Sequence, residues 1–172
     1  MFVASKGQAV DFNGSKLIRL DKFPVENKEI ILCHIEKTNS QSGALQGFCI
    51  DVTGYAEMDG EILKKGKGVR LHFWEGTAPK HIRLKLFTKT GFVWVYNICE
   101  IDSTYLTNDD QGNSREGHSK TIDYGHNGAA MIVEEIENGR RYRCSDVSGA
   151  DKEDQFGDIV FTVQREPTGV TD

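Results

Sequence analysis

Apolar and polar side chains alternate with a period of two through run after run of this chain, and nothing else in it restricts the fold so strongly. Ile30–Ile35, Gly47–Val52, Val69–Trp74, His81–Phe87 and Gly91–Cys99 follow one another, rich in β-branched and aromatic residues. A strand points successive side chains to opposite faces, so this alternation describes half-buried β-strands. Turn signals separate the runs: Thr38–Gly43, Met58-Asp-Gly60, Lys65–Gly68 and Lys89-Thr-Gly91. Ala129–Val133, Arg140–Cys144 and Asp158–Gln164 follow, with Glu137-Asn-Gly139 as a hairpin turn between the first two. Only Glu57–Lys64 and Ala129–Ile136 leave room for short helices. The pattern predicts an all-β fold, an antiparallel β-sandwich or jelly roll of about 8–10 strands.

The chain shows no internal repeat and no Pro-rich linker, so a single domain is expected over residues 15–166, between loose tails at 1–14 and 167–172. At 172 residues such a domain buries about 70% of its unfolded surface and needs no disulfides. One long segment, Asp102–Asn127, reads as an irregular loop, and loops of that length in compact domains usually carry function. Its centre, residues 106–118, is polar with little to bury.

With 38% hydrophobic and 27% charged residues the chain is neither a disordered tail nor a membrane protein. No apolar run approaches the roughly 20 residues that span a bilayer. The start, Met1-Phe-Val-Ala-Ser-Lys-Gly, lacks the basic and apolar regions of a signal peptide. The expectation is a soluble protein, either cytoplasmic or part of a virion or surface structure reached by a signal-less route. A mature form without its leader is the remaining case.

The net charge of −5 is segregated: residues 61–91 hold eight Lys/Arg against two Glu, and residues 102–158 hold thirteen Asp/Glu against six Lys/Arg. The acidic half argues against nucleic acid as a partner. The basic stretch reads as the solvated face of a hairpin, or as a local patch for an anionic partner. Cys33, Cys49, Cys99 and Cys144 each lie in an apolar run, and none forms a C-x-x-C. They read as buried free thiols. Were the protein exported, Cys33 and Cys49 on successive strands would be the first pair to test as a bridge.

Five acidic residues, Asp146, Asp151, Glu153, Asp154 and Asp158, fall within thirteen positions. Carboxylates packed so densely repel unless a cation lies among them, and hard oxygens select calcium, with backbone carbonyls or water completing six to eight ligands. Phe156 is placed to anchor that loop in the core. The bland alternative is a solvated acidic turn before an edge strand. Asn108–Asn113 and Asp123–Asn127 are weaker cation candidates.

The stretch from Gly128 through Phe161 resembles the end of a bacterial β-sandwich domain family found in large surface and secreted proteins. That family closes with a strand, an Asn-Gly or Asp-Gly turn, a second strand, and an acidic tail of the form G-D-N-D-F-N-D-[LIV]-[IV]-F. Asp146, Asp151, Phe156, Asp158, Val160 and Phe161 stand at matching positions, while Gln155 and Gly157 depart from it. The resemblance implies a calcium-site candidate on a β-sandwich, and binding or adhesion in place of catalysis.

His34, His72, His81, His118 and His126 form no H-x-H or H-E-x-x-H, and no G-x-S-x-G or phosphate-gripping glycine loop occurs. No catalytic residue is assigned. Phe92, Trp94 and Tyr96 share one face of their strand. Facing inward they would be sandwich core, the reading favoured here. Facing outward they would form a platform for sugar or protein. The expectation is a non-catalytic structural or recognition module with a calcium-binding loop. Its candidate contact residues are Trp74, Trp94, Asp109, Asp110 and Tyr124. Its partner is a protein or carbohydrate surface, self-association as a homo-oligomer included. A carbohydrate-binding module using Trp74 and Trp94 is one alternative, and a small metal-dependent hydrolase on the acidic cluster is the other.

Overall fold

The computed structural model describes residues 9–12, 14–39, 44–124, 130–146 and 156–167, and every helix or strand among them is a strand. In chain order these are β1 (Val10–Phe12), β2 (Ser15–Ile18), β3 (Asp21–Pro24), β4 (Ile30–Thr38), β5 (Leu45–Val52), β6 (Gly54–Met58), β7 (Glu61–Leu63), β8 (Val69–Trp74), β9 (Ile82–Thr88), β10 (Phe92–Asn108), β11 (Ser114–Asp123), β12 (Ala130–Ile136), β13 (Gly139–Ser145) and β14 (Ile159–Arg165). They form two antiparallel sheets packed face to face as a β-sandwich. The larger has the order β1-β2-β12-β13-β14-β4-β9-β6-β7, and the smaller β11-β10-β5-β8, with β3 also paired to β10. No helix long and apolar enough to cross a membrane occurs among the described residues.

Alternation sorts each strand. In the smaller sheet Phe48 and Ile50 of β5, Leu71 and Phe73 of β8, and Val93 and Val95 of β10 point into the core. From the larger sheet Ile31, Leu84, Leu86, Tyr142 and Phe161 join them. The Phe48 and Phe161 rings stack across the gap at 4.3 Å, and Tyr142 continues the stack at 4.9 Å. Such offset pairs contribute about 0.5–1.5 kcal/mol beyond their burial. Phe156 is buried too, in a satellite cluster with Leu17, Ala130 and Ile132.

The strand count exceeds the expected range because the short strands β1, β2, β3, β6 and β7 carry too few residues to show a period and β11 lies in the segment read as a loop. Pairing begins at Val10, inside the segment read as a tail. Both helix candidates are strands. In the first, Asp59 and Gly60 adopt φ of 53° and 79°, the two left-handed positions of a tight hairpin turn, and no helix passes through them. In the second, the turn after Ile136 closes β12 onto β13, with Asn138 at φ 58°.

The largest correction concerns Asp102–Asn127. Residues 102–108 and 114–123 form regular strand, in unbroken register from Cys99↔Asp123 to Asn108↔Ser114, and only 109–113 turn; residues 125–127 lie outside the described residues. β10 leaves β5 at Glu100, so the hairpin continues outward as a two-stranded arm.

Several polar ties join the sheets, among them Asn97 Nδ2 donating to the Ser145 carbonyl at 3.3 Å and Arg165 to the Pro24 carbonyl. On β3, Asp21 accepts from Arg140 Nη1 and from the Tyr142 hydroxyl, each at 2.8 Å, both from β13 of the larger sheet. At the other end Gln46 Nε2 of β5 donates to Asp146 Oδ2 at 2.6 Å, just past β13. The four cysteines are buried and free. Cys33 lies between the sheets on β4, while Cys49 sits on the outer side of β5, so the pairing considered for them is absent. Burial pushes the Cys49 and Cys99 thiols up to about 12 and raises those of Cys33 and Cys144 as well.

Candidate functional site

The aromatic row of β10 faces outward, against the inward reading. Val93 and Val95 are fully buried, and as slim β-branched residues they suit a gap already filled by Phe23, Phe48 and Phe161. Phe92 and Trp94 therefore stand on the outer face. Tyr96 is on that face as well, yet only 3% exposed, because neighbouring side chains close over it.

Register builds the surroundings. Trp94 pairs with Asp51 and Tyr96 with Cys49. Asp51 pairs in turn with Arg70 and Cys49 with His72. Tyr124 follows the end of β11 and folds back over the sheet. The Asp51 carboxylate is central: Arg70 Nε meets its two oxygens at 3.0 and 3.3 Å, and the Tyr96 hydroxyl donates to Oδ2 at 2.9 Å. The Arg70 guanidinium lies 4.8 Å from the Tyr124 ring centre and 5.9 Å from that of Tyr96. Tyr124 hydroxyl and His72 Nε2 are 2.9 Å apart. Lys22 Nζ, on the adjoining β3, sits 5.3 Å from the Trp94 ring and 4.8 Å from Phe92.

These groups line an open groove of two merging cavities. One, of about 590 Å³, is bordered by Asp51, Lys65, Arg70, His72, Trp94 and Tyr124. The other, of about 450 Å³, shares Asp51, Arg70, Trp94 and Tyr124 and adds Leu20 and Tyr96. The hydrogen bond that Arg70 donates to Asp51 holds it charged well beyond neutral pH. Burial first, and then the neighbouring Cys49 and the Asp51 carboxylate, push the Tyr96 hydroxyl up, so it stays a donor. Burial and then the Arg70 charge lower His72, which is neutral at pH 7. The groove thus presents a flat indole, a fixed guanidinium and a carboxylate, with a neutral imidazole and a phenol beside them. That set stacks on apolar ring faces and exchanges hydrogen bonds with hydroxyls.

Of the residues singled out by sequence, Trp94 and Tyr124 come together in this groove. Trp74 is on the same face but beyond His72, whose ring lies 6.4 Å away, and it borders a separate recess of about 280 Å³ with Glu75 and Lys80. It lies close against Gly47, where an added Cβ would be 2.8 Å from the indole. Asp109 and Asp110 are at the tip of the arm. There Asp109 Oδ1 accepts from the N–H groups of Gln111 and Asn113 at 3.0 and 2.8 Å, which makes it a turn former. Those bonds, Asn113's first, hold its carboxyl below the usual range. Asp51 has no place in the sequence reading, Arg70 enters it only within the basic stretch, and His72 only among the scattered histidines. Their signal was the polar parity of strands β5 and β8, shared with Trp94 once the register is known.

Of the acidic cluster, Asp151, Glu153 and Asp154 lie outside the described residues. Asp146 and Asp158 are adjacent, with Asp146 N–H donating to Asp158 Oδ2 at 3.0 Å. Burial, together with the Asp146 carboxylate, pushes Asp158 up to about 6, partly opposed by that N–H. Asp146 Oδ1 is buried and accepts no hydrogen bond among the described residues. No group of three or more His, Cys, Asp or Glu able to hold a metal occurs among the described residues.

No family model, no characterised protein and no solved structure matches this chain. Fold and groove together define an all-β sandwich domain with an open aromatic and charged groove on its smaller sheet.

Proposed function

We propose that this chain is a non-catalytic recognition module that binds a carbohydrate along the outer groove of its smaller sheet. The observation that carries the reading is the Asp51–Arg70 pair set between Trp94 and Tyr124 in an open cleft. A pyranose has apolar C–H faces and a rim of hydroxyls. The first stack on an indole or phenol, and the second suit a planar carboxylate and guanidinium. An open groove accepts a stretch of polymer where an enclosed pocket would accept only a single small molecule. Lys22 and Lys65 at the margins favour chains carrying carboxylate or sulfate groups. Titration of neutral and acidic oligosaccharides, followed by tryptophan fluorescence, tests this. Trp94→Ala and Arg70→Ala should each weaken binding at least tenfold while Trp74→Ala has a smaller effect. Absence of binding to any glycan, or binding untouched by Trp94→Ala, would overturn the assignment.

A second reading, favoured by the Asp146–Asp158 contact and the buried Asp146 oxygen, is a calcium ion held at the mouth of the acidic loop. Two carboxylates fall short of the six to eight oxygens calcium needs, so this reading draws on Asp151, Glu153 and Asp154 as well. It also fits the resemblance to surface-protein domains. Melting in calcium and then in EDTA tests it, and superimposable curves at millimolar calcium would exclude it. A calcium-bound loop would make the module structural as well as recognising.

A further inference from the structure

We infer that the arm formed by β10 and β11 joins two copies of this chain, β11 pairing antiparallel with the partner's β11 about a two-fold axis at His118.

Past Glu100 the arm stands clear of the sandwich. Every residue from Asp102 to Asn108 is exposed, Leu106 at 74% and Tyr105 at 48%. Among the described residues β11 pairs with β10 alone, and no described strand covers its other edge. A two-stranded ribbon with both faces in water is marginal by itself. Open edges are normally blunted by proline, by a bulge or by charged side chains, and here the outward charges are Glu116 and Lys120, of opposite sign. This edge has no proline, a single lysine at Lys120, and a continuous register.

The hydrogen-bond phase selects which residues meet. Asp109 N–H donates to the Asn113 carbonyl at 2.9 Å. In an antiparallel ladder bonded pairs alternate, so odd-numbered residues of β11 engage β10. Residues 114, 116, 118, 120 and 122 then turn their N–H and C=O outward. Only registers matching these outward residues to one another can form a ladder. Centring on Glu116 opposes two glutamates, centring on Lys120 opposes two lysines, and centring on residue 119 sets His118 against Lys120. Centring on residue 117 leaves both Lys120 side chains facing Ser114. Centring on His118 sets Glu116 opposite the partner's Lys120, twice, with no lysine or glutamate facing its like. Both side chains are free enough to adjust, being 61% and 68% exposed, and Lys120 keeps its contact with Glu100 at 3.4 Å.

The two-fold axis stands perpendicular to the joined sheet, so the outer faces of both copies look the same way. If the groove binds a polymeric glycan, the two grooves then bind one surface together and gain by effective concentration. That clause alone rests on the carbohydrate reading. The pairing itself does not need it.

Sedimentation velocity on the full chain, from micromolar to several hundred micromolar, tests the pairing without ligand. A monomer–dimer equilibrium is expected. Glu116→Lys and Lys120→Glu should each raise the dimer Kd at least tenfold. An equimolar mixture of the two variants should restore dimer, because each Lys then faces a Glu. Unchanged melting temperatures will show that both variants fold. A chain monomeric at every concentration overturns the inference. So does a dimer that neither charge reversal weakens, or a mixture that stays monomeric.

Discussion

Tyr96 and Asp51 sit diagonally on neighbouring strands, and the Tyr96 hydroxyl donates to Asp51 Oδ2 at 2.9 Å beneath the Arg70 guanidinium. The groove is therefore held by its own floor. Asp51 meets Arg70 on one side and the Tyr96 hydroxyl on the other. A preorganised arrangement of this kind loses less entropy when a ligand binds.

Tyr96→Phe removes one charge-assisted hydrogen bond and leaves Asp51 its Arg70 contact. It should cost about 1–2 kcal/mol of stability, read as a lower urea midpoint with an unchanged slope. Asp51→Ala should cost more, because it strands a nearly buried phenol hydroxyl. Equal stability of the two variants would mean that the carboxylate does not organise this face.

The tie between Asp21 and Arg140 spans the two sheets at 2.8 Å, with Asp21 only 2% exposed. Asp21→Ala leaves the Arg140 charge and the Tyr142 hydroxyl without their buried acceptor, although Arg140 keeps Glu135 at 2.9 Å. A loss of about 3–5 kcal/mol is expected. Denaturant titration measures it, and a loss below about 1 kcal/mol would contradict a cross-sheet role.

Asp158 sets a pH dependence with a definite sign. Its carboxyl is raised from 3.8 to about 6 in the folded chain, so the folded state binds more protons than the unfolded state between those values. Stability from this group is present below the lower value and is lost as pH rises to 6. Asp158→Asn should flatten that slope and raise the melting temperature at pH 7.5. After discounting for partial exposure the gain is about 1 kcal/mol. Added calcium should reverse the comparison if the cation reading holds, since the wild type alone would then be stabilised.

The cysteines give a direct check on packing. Burial raises all four thiols, and thiolate is the reactive form. Iodoacetamide at pH 8 should leave the native chain unmodified, add four adducts in denaturant, and dithiothreitol should not move the melting temperature. A native chain labelled within minutes at any one of them would place that thiol at the surface.

Much of the fold was legible in the chain. Of the nine described strands of six or more residues, all but β11 show themselves by apolar residues, and the Asn-Gly and Asp-Gly turns show themselves because few other residues accept left-handed backbone. Trp94 and Tyr124 are named by the sequence as contact residues, although its favoured reading turns the Trp94 face inward. The arm was misread because a ribbon bathed by water on both faces carries no apolar alternation: Asp102–Asn108 and Ser114–Thr121 look like a loop by composition. Backbone pairing, which composition does not report, makes it regular.

What the sequence by itself determined is which residues share a face. Trp94 must lie with Tyr96 and opposite Val93 and Val95, since strand geometry allows nothing else. It did not determine which face turns inward. That was decided between the sheets, where Phe23, Phe48, Phe73 and Phe161 already fill the gap and leave room only for valine. Nor could spacing bring Asp51 to Arg70 or Asp21 to Arg140, residues 19 and 119 apart in the chain. Strand order and register make those neighbours, and both follow from closing one core among the fourteen described strands. No single strand carries that information.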